Sequence, residues 1–423
     1  MLSFAKKLGV AALGQAATLF FGAVCGFLVI HTMSKETYAQ YSFLQSWLAF
    51  FSALSVTTLL GTYNAIAGPS ASNQPKLLSV TATTWRLNLP FIGIAAALAI
   101  PALIFPTWGK GWYSPDFLVA VALGVGLVLV TVVNRFHQSV LQIEGRVKTI
   151  SSLLPAVEGG RTGTFLVCMA LGFGGYACPF VAAALLCQIA SNVYCAKLPS
   201  GQWLRTQPEP DVSKETTHRF WEVQKPLLFP SYFYQVQSFF MPAIIAWLAP
   251  TDTIADVGAL GRLMMLLMVL DRSLDIVFYP SLAREEQFAR FEKKLLIGVA
   301  GFALLSVGLV ASAAFVPDLW LWLLGAKYAS LNGSLMWAVL ATCIERIGGM
   351  FIWAMVSKGM AKHLSYSTLA GFLAQIVFVL NFVPNTVFLA VMFNLTRILI
   401  VTVSQIGSYL WLRRSQAARG DFA

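Results

Sequence analysis

The stretch LNGSLMWAVLATCIERIGGMFIWAMV, Leu331–Val356, has 26 residues, and two of them are charged: Glu345 and Arg346. A helix crosses the hydrocarbon layer of a bilayer with about 20 apolar residues. This stretch is long enough to do so, and it carries a carboxylate and a guanidinium near mid-depth. Comparable runs fill the chain. Spans are expected at 9–30, 41–67, 86–106, 116–140, 150–172, 178–196, 226–249, 255–282, 295–316, 331–356, 364–382 and 386–412. The runs are continuous, whereas a transmembrane barrel shows short alternating segments. The expected class is an all-α integral membrane protein with 12 transmembrane helices.

Composition agrees with that pattern. Of 423 residues, 57% are hydrophobic and 11% charged, and the mean hydropathy is +0.71. Soluble domains carry about a quarter charged residues, so this chain lacks the polar surface to dissolve. Lys6 and Lys7 precede an apolar run in the manner of a signal peptide, but the run continues to about Ile30 and reads as a retained first span. The net charge of +11 reflects loop lysines and arginines rather than nucleic-acid binding. With both termini placed in the cytoplasm, 21 basic residues fall in inner loops, and only Lys35, Lys110 and Lys327 fall outside. That asymmetry orients the chain by the positive-inside rule, with both termini cytoplasmic. The six cysteines show no metal or disulfide spacing and read as packing residues.

The polar stretch 197–225 divides the spans six and six. The expected organisation is an N-terminal six-helix bundle over 1–198, a cytoplasmic linker over 199–225 and a C-terminal six-helix bundle over 226–423. The linker reads as a short helix near Ser213–Gln224, lying on the membrane surface or simply solvated. The halves echo each other. QIEGRVK (Gln142–Lys148) and VSKGMAK (Val356–Lys362) share Gly-x-x-Lys 214 residues apart, and the residues introducing spans 2 and 8 lie 219 apart. Six spans per copy is an even number, so the copies share orientation. Their pseudo-symmetry axis then lies along the membrane normal, with a central cavity between the bundles.

Five arginines lie inside spans: Arg161, Arg262, Arg272, Arg346 and Arg397. A guanidinium at mid-membrane costs about 2.5–3.5 kcal/mol or more unless a polar group receives it. The acids available to receive one are Glu158, Asp271, Asp275 and Glu345. Residues three or four apart share a helix face, so Glu158 can pair with Arg161, and Arg272 with Asp275. Arg262 and Arg397 have no acid within four positions, and Arg346 adjoins Glu345 at a spacing that does not face it. These three are the stronger candidates for a cationic cavity, which an acid from another helix would neutralise. Arg135 and His137 stand at the cytoplasmic mouth of span 4, where Arg135 serves either as a membrane-edge anchor or to attract a phosphate. Arginine stays protonated when desolvated, and its fork grips two phosphate oxygens. Span 7 carries Pro226, Pro230 and Pro242 with Tyr232, Tyr234, Gln235 and Gln237. It reads as a bent gate able to hydrogen-bond sugar hydroxyls, or as polar helix–helix glue. The chain has no Gly-x-x-x-x-Gly-Lys-Ser/Thr phosphate loop, no zinc-protease motif and no histidines at metal-ligand spacing, so no catalytic residue, metal or cofactor is expected.

Three motifs carry a family resemblance. They are the Gly-x-x-Lys turn after span 4, FYPSLAR (Phe278–Arg284) closing span 8, and LWLLGAKY (Leu321–Tyr328) before span 10. With the span count, they make the chain resemble the multidrug/oligosaccharidyl-lipid/polysaccharide (MOP) exporter superfamily in its polysaccharide-transporter branch, the Wzx-type O-antigen flippases. Some lipid II flippases of that superfamily carry two more helices than this chain. The resemblance implies a multi-pass flippase of the bacterial inner (cytoplasmic) membrane, serving lipopolysaccharide biosynthesis. It would move an undecaprenyl-pyrophosphate-type lipid-linked glycan by alternating access, with proton or sodium coupling through Glu158, Asp271, Asp275 or Glu345. The rival expectations are a membrane-embedded glycan polymerase or ligase, which the short outer loops disfavour, and a drug antiporter of the same superfamily.

Overall fold

The computed structural model describes residues 2–56, 62–63, 66–70, 73–267, 278, 282, 287–357 and 364–419. Among them are twelve α-helices of fifteen residues or more and no strand. In chain order they are α1 (Leu2–Thr32), α2 (Lys35–Val56), α3 (Gln74–Lys110), α4 (Pro115–Ile143), α5 (Val147–Ala170), α6 (Cys178–Lys197), α7 (Pro210–Leu248), α8 (Thr251–Met265), α9 (Phe288–Phe315), α10 (Asn332–Ser357), α11 (Leu364–Asn381) and α12 (Val387–Arg419). Among the described residues, seven stretches are long and apolar enough to cross a membrane. Many large apolar side chains on them are exposed, as in Leu98, Leu304 and Phe315, which is the surface that lipid covers.

Local chemistry sets the helix ends. Asn73 accepts the backbone N–H of Lys76 at 3.2 Å to start α3, with Pro75 in the first turn. Gly111 ends α3 at φ 65°, the left-handed conformation that favours glycine. The Gly-x-x-Lys turn after α4 works the same way. Gly145 has φ 69°, its N–H reaches Gln142 O at 3.0 Å, and the N–H of Arg146 reaches Leu141 O at 2.9 Å. That is a Schellman closure, so the glycine of the motif is a backbone requirement. Its counterpart Gly359 lies outside the described residues.

The chain forms two compact units, Met1–Ala243 and Ile244–Ala423. The division falls inside α7, later than the boundary expected near 199–225. The expected linker helix and span 7 are one continuous helix of 39 residues. The first part of α7 belongs to the N-terminal unit for a packing reason. Phe220 is fully buried in a cluster with Tyr63, Phe91, Phe136 and Trp203. Gln224 accepts a hydrogen bond from Thr62 Oγ1 at 2.6 Å, and Phe239 stacks on Phe50 at 4.3 Å.

The internal repeat reappears as geometry. Helices starting at 35, 74 and 115 recur at 251, 288 and 332, offsets of 214–217. Packing partners recur as well. In the first unit α6 packs on α4 and α5; in the second α12 packs on α10 and α11.

Candidate functional site

In the N-terminal unit the charged centre is on α5. Arg161 Nη2 lies 2.7 Å from Glu158 Oε2, both side chains about a fifth exposed. The guanidinium sits 5.4 Å from the ring centre of Phe180, within cation–π range. Phe180 is itself met edge-on by Tyr41 at 4.8 Å and Phe165 at 5.1 Å. The pair expected from the i,i+3 spacing is formed, and an aromatic wall supports it. The helix behind it is held by α1, where Thr162 Oγ1 donates to Phe21 O at 3.2 Å.

A neutral polar network lies between α4 and α6. Asn134 donates to Gln188 Oε1 at 2.6 Å and Ser191 Oγ at 2.8 Å, and accepts from Gln138 at 2.9 Å. Asn192 donates to Val130 O at 2.8 Å. Asp116 on α4 accepts the backbone N–H groups of Ala177 and Cys178 at 2.9 and 3.0 Å, an anion on the first turn of α6. His137 is buried and its Nδ1 accepts the indole N–H of Trp203 at 3.2 Å. Arg135, two residues earlier, is exposed. Sequence reading missed Asp116, Gln188 and Trp203, whose partners lie more than 50 residues away along the chain.

On α7 the proposed gate residues divide by burial. Tyr232 packs at the edge of the aromatic core, Tyr234 is exposed, Gln235 is half-buried and Gln237 is buried. The Gln237 amide nitrogen has no hydrogen-bond partner among the described residues. The helix is unbroken through Pro226, Pro230 and Pro242.

In the C-terminal unit the charged centre joins α10 to α12. Arg397 Nη2 lies 3.0 Å from Glu345 Oε1, with side-chain exposures of 18% and 43%. Asn394 Oδ1 also accepts from Arg397 Nε at 3.4 Å and Nη2 at 3.2 Å. Arg397 therefore meets an acid from another helix. Glu345 takes that position because adjacent helix residues point about 100° apart, which turns it away from Arg346. Arg346 is half-buried on α10. The helices meet closely one turn on, where a Cβ on Gly348 would lie 2.6 Å from both Thr402 Oγ1 and Gln405 Oε1. Gln375 on α11 is fully buried. Arg262 on α8 is half-buried and donates to Met265 Sδ at 3.6 Å. Arg272, Asp271 and Asp275 lie outside the described residues. Among the described residues no cluster of His, Cys, Asp or Glu is arranged to hold a metal.

No protein-family model and no curated protein sequence matches the chain. Solved structures do match it. An inward-facing multidrug resistance MATE family transporter of the MOP superfamily aligns with a TM-score of 0.72 and 16% identity, over 98% of this chain and 99% of that one. A MATE protein in the straight conformation aligns at 0.62 and 16% identity, over 98% and 95%. An outward-facing multidrug resistance MATE transporter aligns at 0.62 and 16%, over 97% and 94%. Over essentially its whole length, the chain has the fold of the MATE transporters of the MOP superfamily.

Proposed function

We propose that this chain is a membrane transporter working by alternating access, and that its cargo is an anionic amphiphile of the polyprenyl-pyrophosphate-linked oligosaccharide class. The fold supports the transporter reading. The cargo reading rests on one observation: in the C-terminal unit, Arg397 is held at the α10–α12 contact by Glu345 and Asn394 through its Nε and Nη2. Arg397 keeps its Nη1 unengaged among the described residues, so it has donors left for an entering phosphate oxygen. The three motifs quoted from the sequence point to the same polysaccharide-transporter branch. Glu158, Asp271, Asp275 and Glu345 are the candidate carriers for coupling to a proton or sodium ion.

A second reading, export of cationic or neutral drugs, is favoured by Arg161. Glu158 already neutralises that guanidinium, and the fold is one that multidrug transporters use.

The test is transport by the purified chain in proteoliposomes. Flipping of a fluorescent polyprenyl-pyrophosphate glycan is expected, stopping when the ion gradient is dissipated. Arg346→Ala and Arg397→Ala should each slow it about ten-fold, the loss of a charge-assisted contact worth about 1.5 kcal/mol, while the protein still inserts. Gradient-driven efflux of ethidium with no glycan movement would establish the drug reading instead.

A further inference from the structure

Between the start of α3 and the first half of α7 lies a cavity of about 1000 Å³. Its α7 wall is a single helix face, because Lys214, His218, Trp221 and Lys225 recur at spacings of three and four. The other face of the same helix is committed to the core, where Thr216, Phe220 and Gln224 are buried. Arg86 of α3 supplies the facing wall. Glu222 is the one acid in the lining among the described residues, and it lies 3.5 Å from His218. With His218 neutral, Arg86, Lys214 and Lys225 against Glu222 leave a lining charge of +2. Trp221 packs 6.1 Å from Phe91 and edge-on to Phe220 at 5.5 Å, so one side is aromatic. Lys76–Glu215 at 3.7 Å and the Glu209 N–H to Ser79 Oγ bond at 2.9 Å brace α7 against α3.

The position of this cavity along the helices selects the ligand. Arg86 and Lys225 stand where the apolar runs of α3 and α7 begin. One turn deeper, Leu89 and Phe229 are 49% and 79% exposed, and such side chains face acyl chains in a bilayer. A basic chamber at the membrane boundary therefore opens above a lipid-facing lane. The geometry points to this cavity as a seat for the phosphate headgroup of an anionic membrane lipid, with the acyl chains running down past Leu89 and Phe229. The site is built entirely within the N-terminal unit and does not depend on which cargo the transporter carries.

The test uses the full-length chain in nanodiscs of phosphatidylcholine doped with phosphatidylglycerol or cardiolipin, with retained lipid counted by native mass spectrometry. The wild-type chain should retain the anionic lipid in preference to phosphatidylcholine. Each basic residue near a charged membrane surface is worth about five-fold in affinity, so the Arg86→Gln/Lys225→Gln double variant should lose about 25-fold. Lys214→Glu, at an exposed position, provides a second variant with an expected loss of at least about ten-fold. Lys148→Gln, an exposed basic site outside the cavity, should retain lipid as the wild type does. Wild-type retention by both cavity variants would overturn the assignment. So would an equal loss in Lys148→Gln, which would indicate only a diffuse surface field. Displacement of the lipid by millimolar glycerol phosphate would also overturn it, in favour of a site for free phosphate esters.

Discussion

Arg161 and Arg397 solve the same problem by different routes. A guanidinium in the hydrocarbon layer needs a counter-charge or donates to something polar. Arg161 finds Glu158 three residues back on its own helix, a partnership legible in the sequence because i,i+3 residues share a face. Arg397 finds Glu345, 52 residues away on another helix, and no spacing rule reaches across a helix pair. Removing the acid from the first pair leaves a charge within the membrane that nothing in the i,i+3 row neutralises. Glu158→Gln should therefore destabilise the protein by about 2–3 kcal/mol, near the insertion cost of an unneutralised arginine. The Glu158→Gln/Arg161→Gln double variant should regain most of that. Thermal unfolding of the four members of the cycle in detergent measures the coupling, and additive losses would show that the pair is not a unit. The acid-rich segment around Asp271, Arg272 and Asp275 lies outside the described residues, so its i,i+3 reading stands as a sequence expectation.

Helix contacts turn on single glycines. A Cβ on Gly14 of α1 would run into the backbone carbonyl of Ser151 on α5 and lie 2.9 Å from its Cα. A Cβ on Gly22, two turns along the same helix, would meet nothing within 4 Å. Alanine is the better helix former by up to about 1 kcal/mol, so Gly22→Ala should be neutral or mildly stabilising. Gly14→Ala should cost about 1–3 kcal/mol, because the backbones must separate. Denaturation midpoints of the two variants, compared side by side, decide this, and equal behaviour would remove the close-contact explanation. At this scale most of the architecture was legible. Apolar runs placed the twelve helices, and the spaced Gly-x-x-Lys motif located a real Schellman turn at Gly145. The α7 boundary was not legible. Pro199, Pro208, Pro210 and a run of charges read as a linker ending near 225, yet the helix starts at Pro210 and continues through Pro226. A proline in the first turn starts a helix at little cost. Two contacts from distant parts of the chain, Thr62 to Gln224 and Phe91 to Phe220, hold the polar half in line. Composition records the polarity of such a segment and not the surface it docks against.

Orientation belongs to the whole molecule, and it fixes which end of every helix meets which compartment. The twelve expected spans put 21 basic residues on one side and three on the other, from which we propose cytoplasmic termini. Helix starts recur at offsets of 214–217, and six expected spans per copy predict that both halves share one orientation, so labelling in one half tests the expectation for the other. In a cysteine-free background, Tyr113→Cys after α3 and Lys327→Cys before α10 occupy equivalent outer turns of the two copies. Lys214→Cys and Arg290→Cys, at exposed positions near the starts of α7 and α9, occupy inner ones. A membrane-impermeant maleimide applied to intact spheroplasts should modify the first two and spare the second two until the membrane is permeabilised. The reverse pattern would invert the molecule. A split in which Tyr113→Cys and Lys327→Cys label from opposite sides would break the parallel repeat. The two halves would then be inverted copies, with an odd number of spans between equivalent turns, and the basic cavity between α3 and α7 would need a new assignment of leaflet.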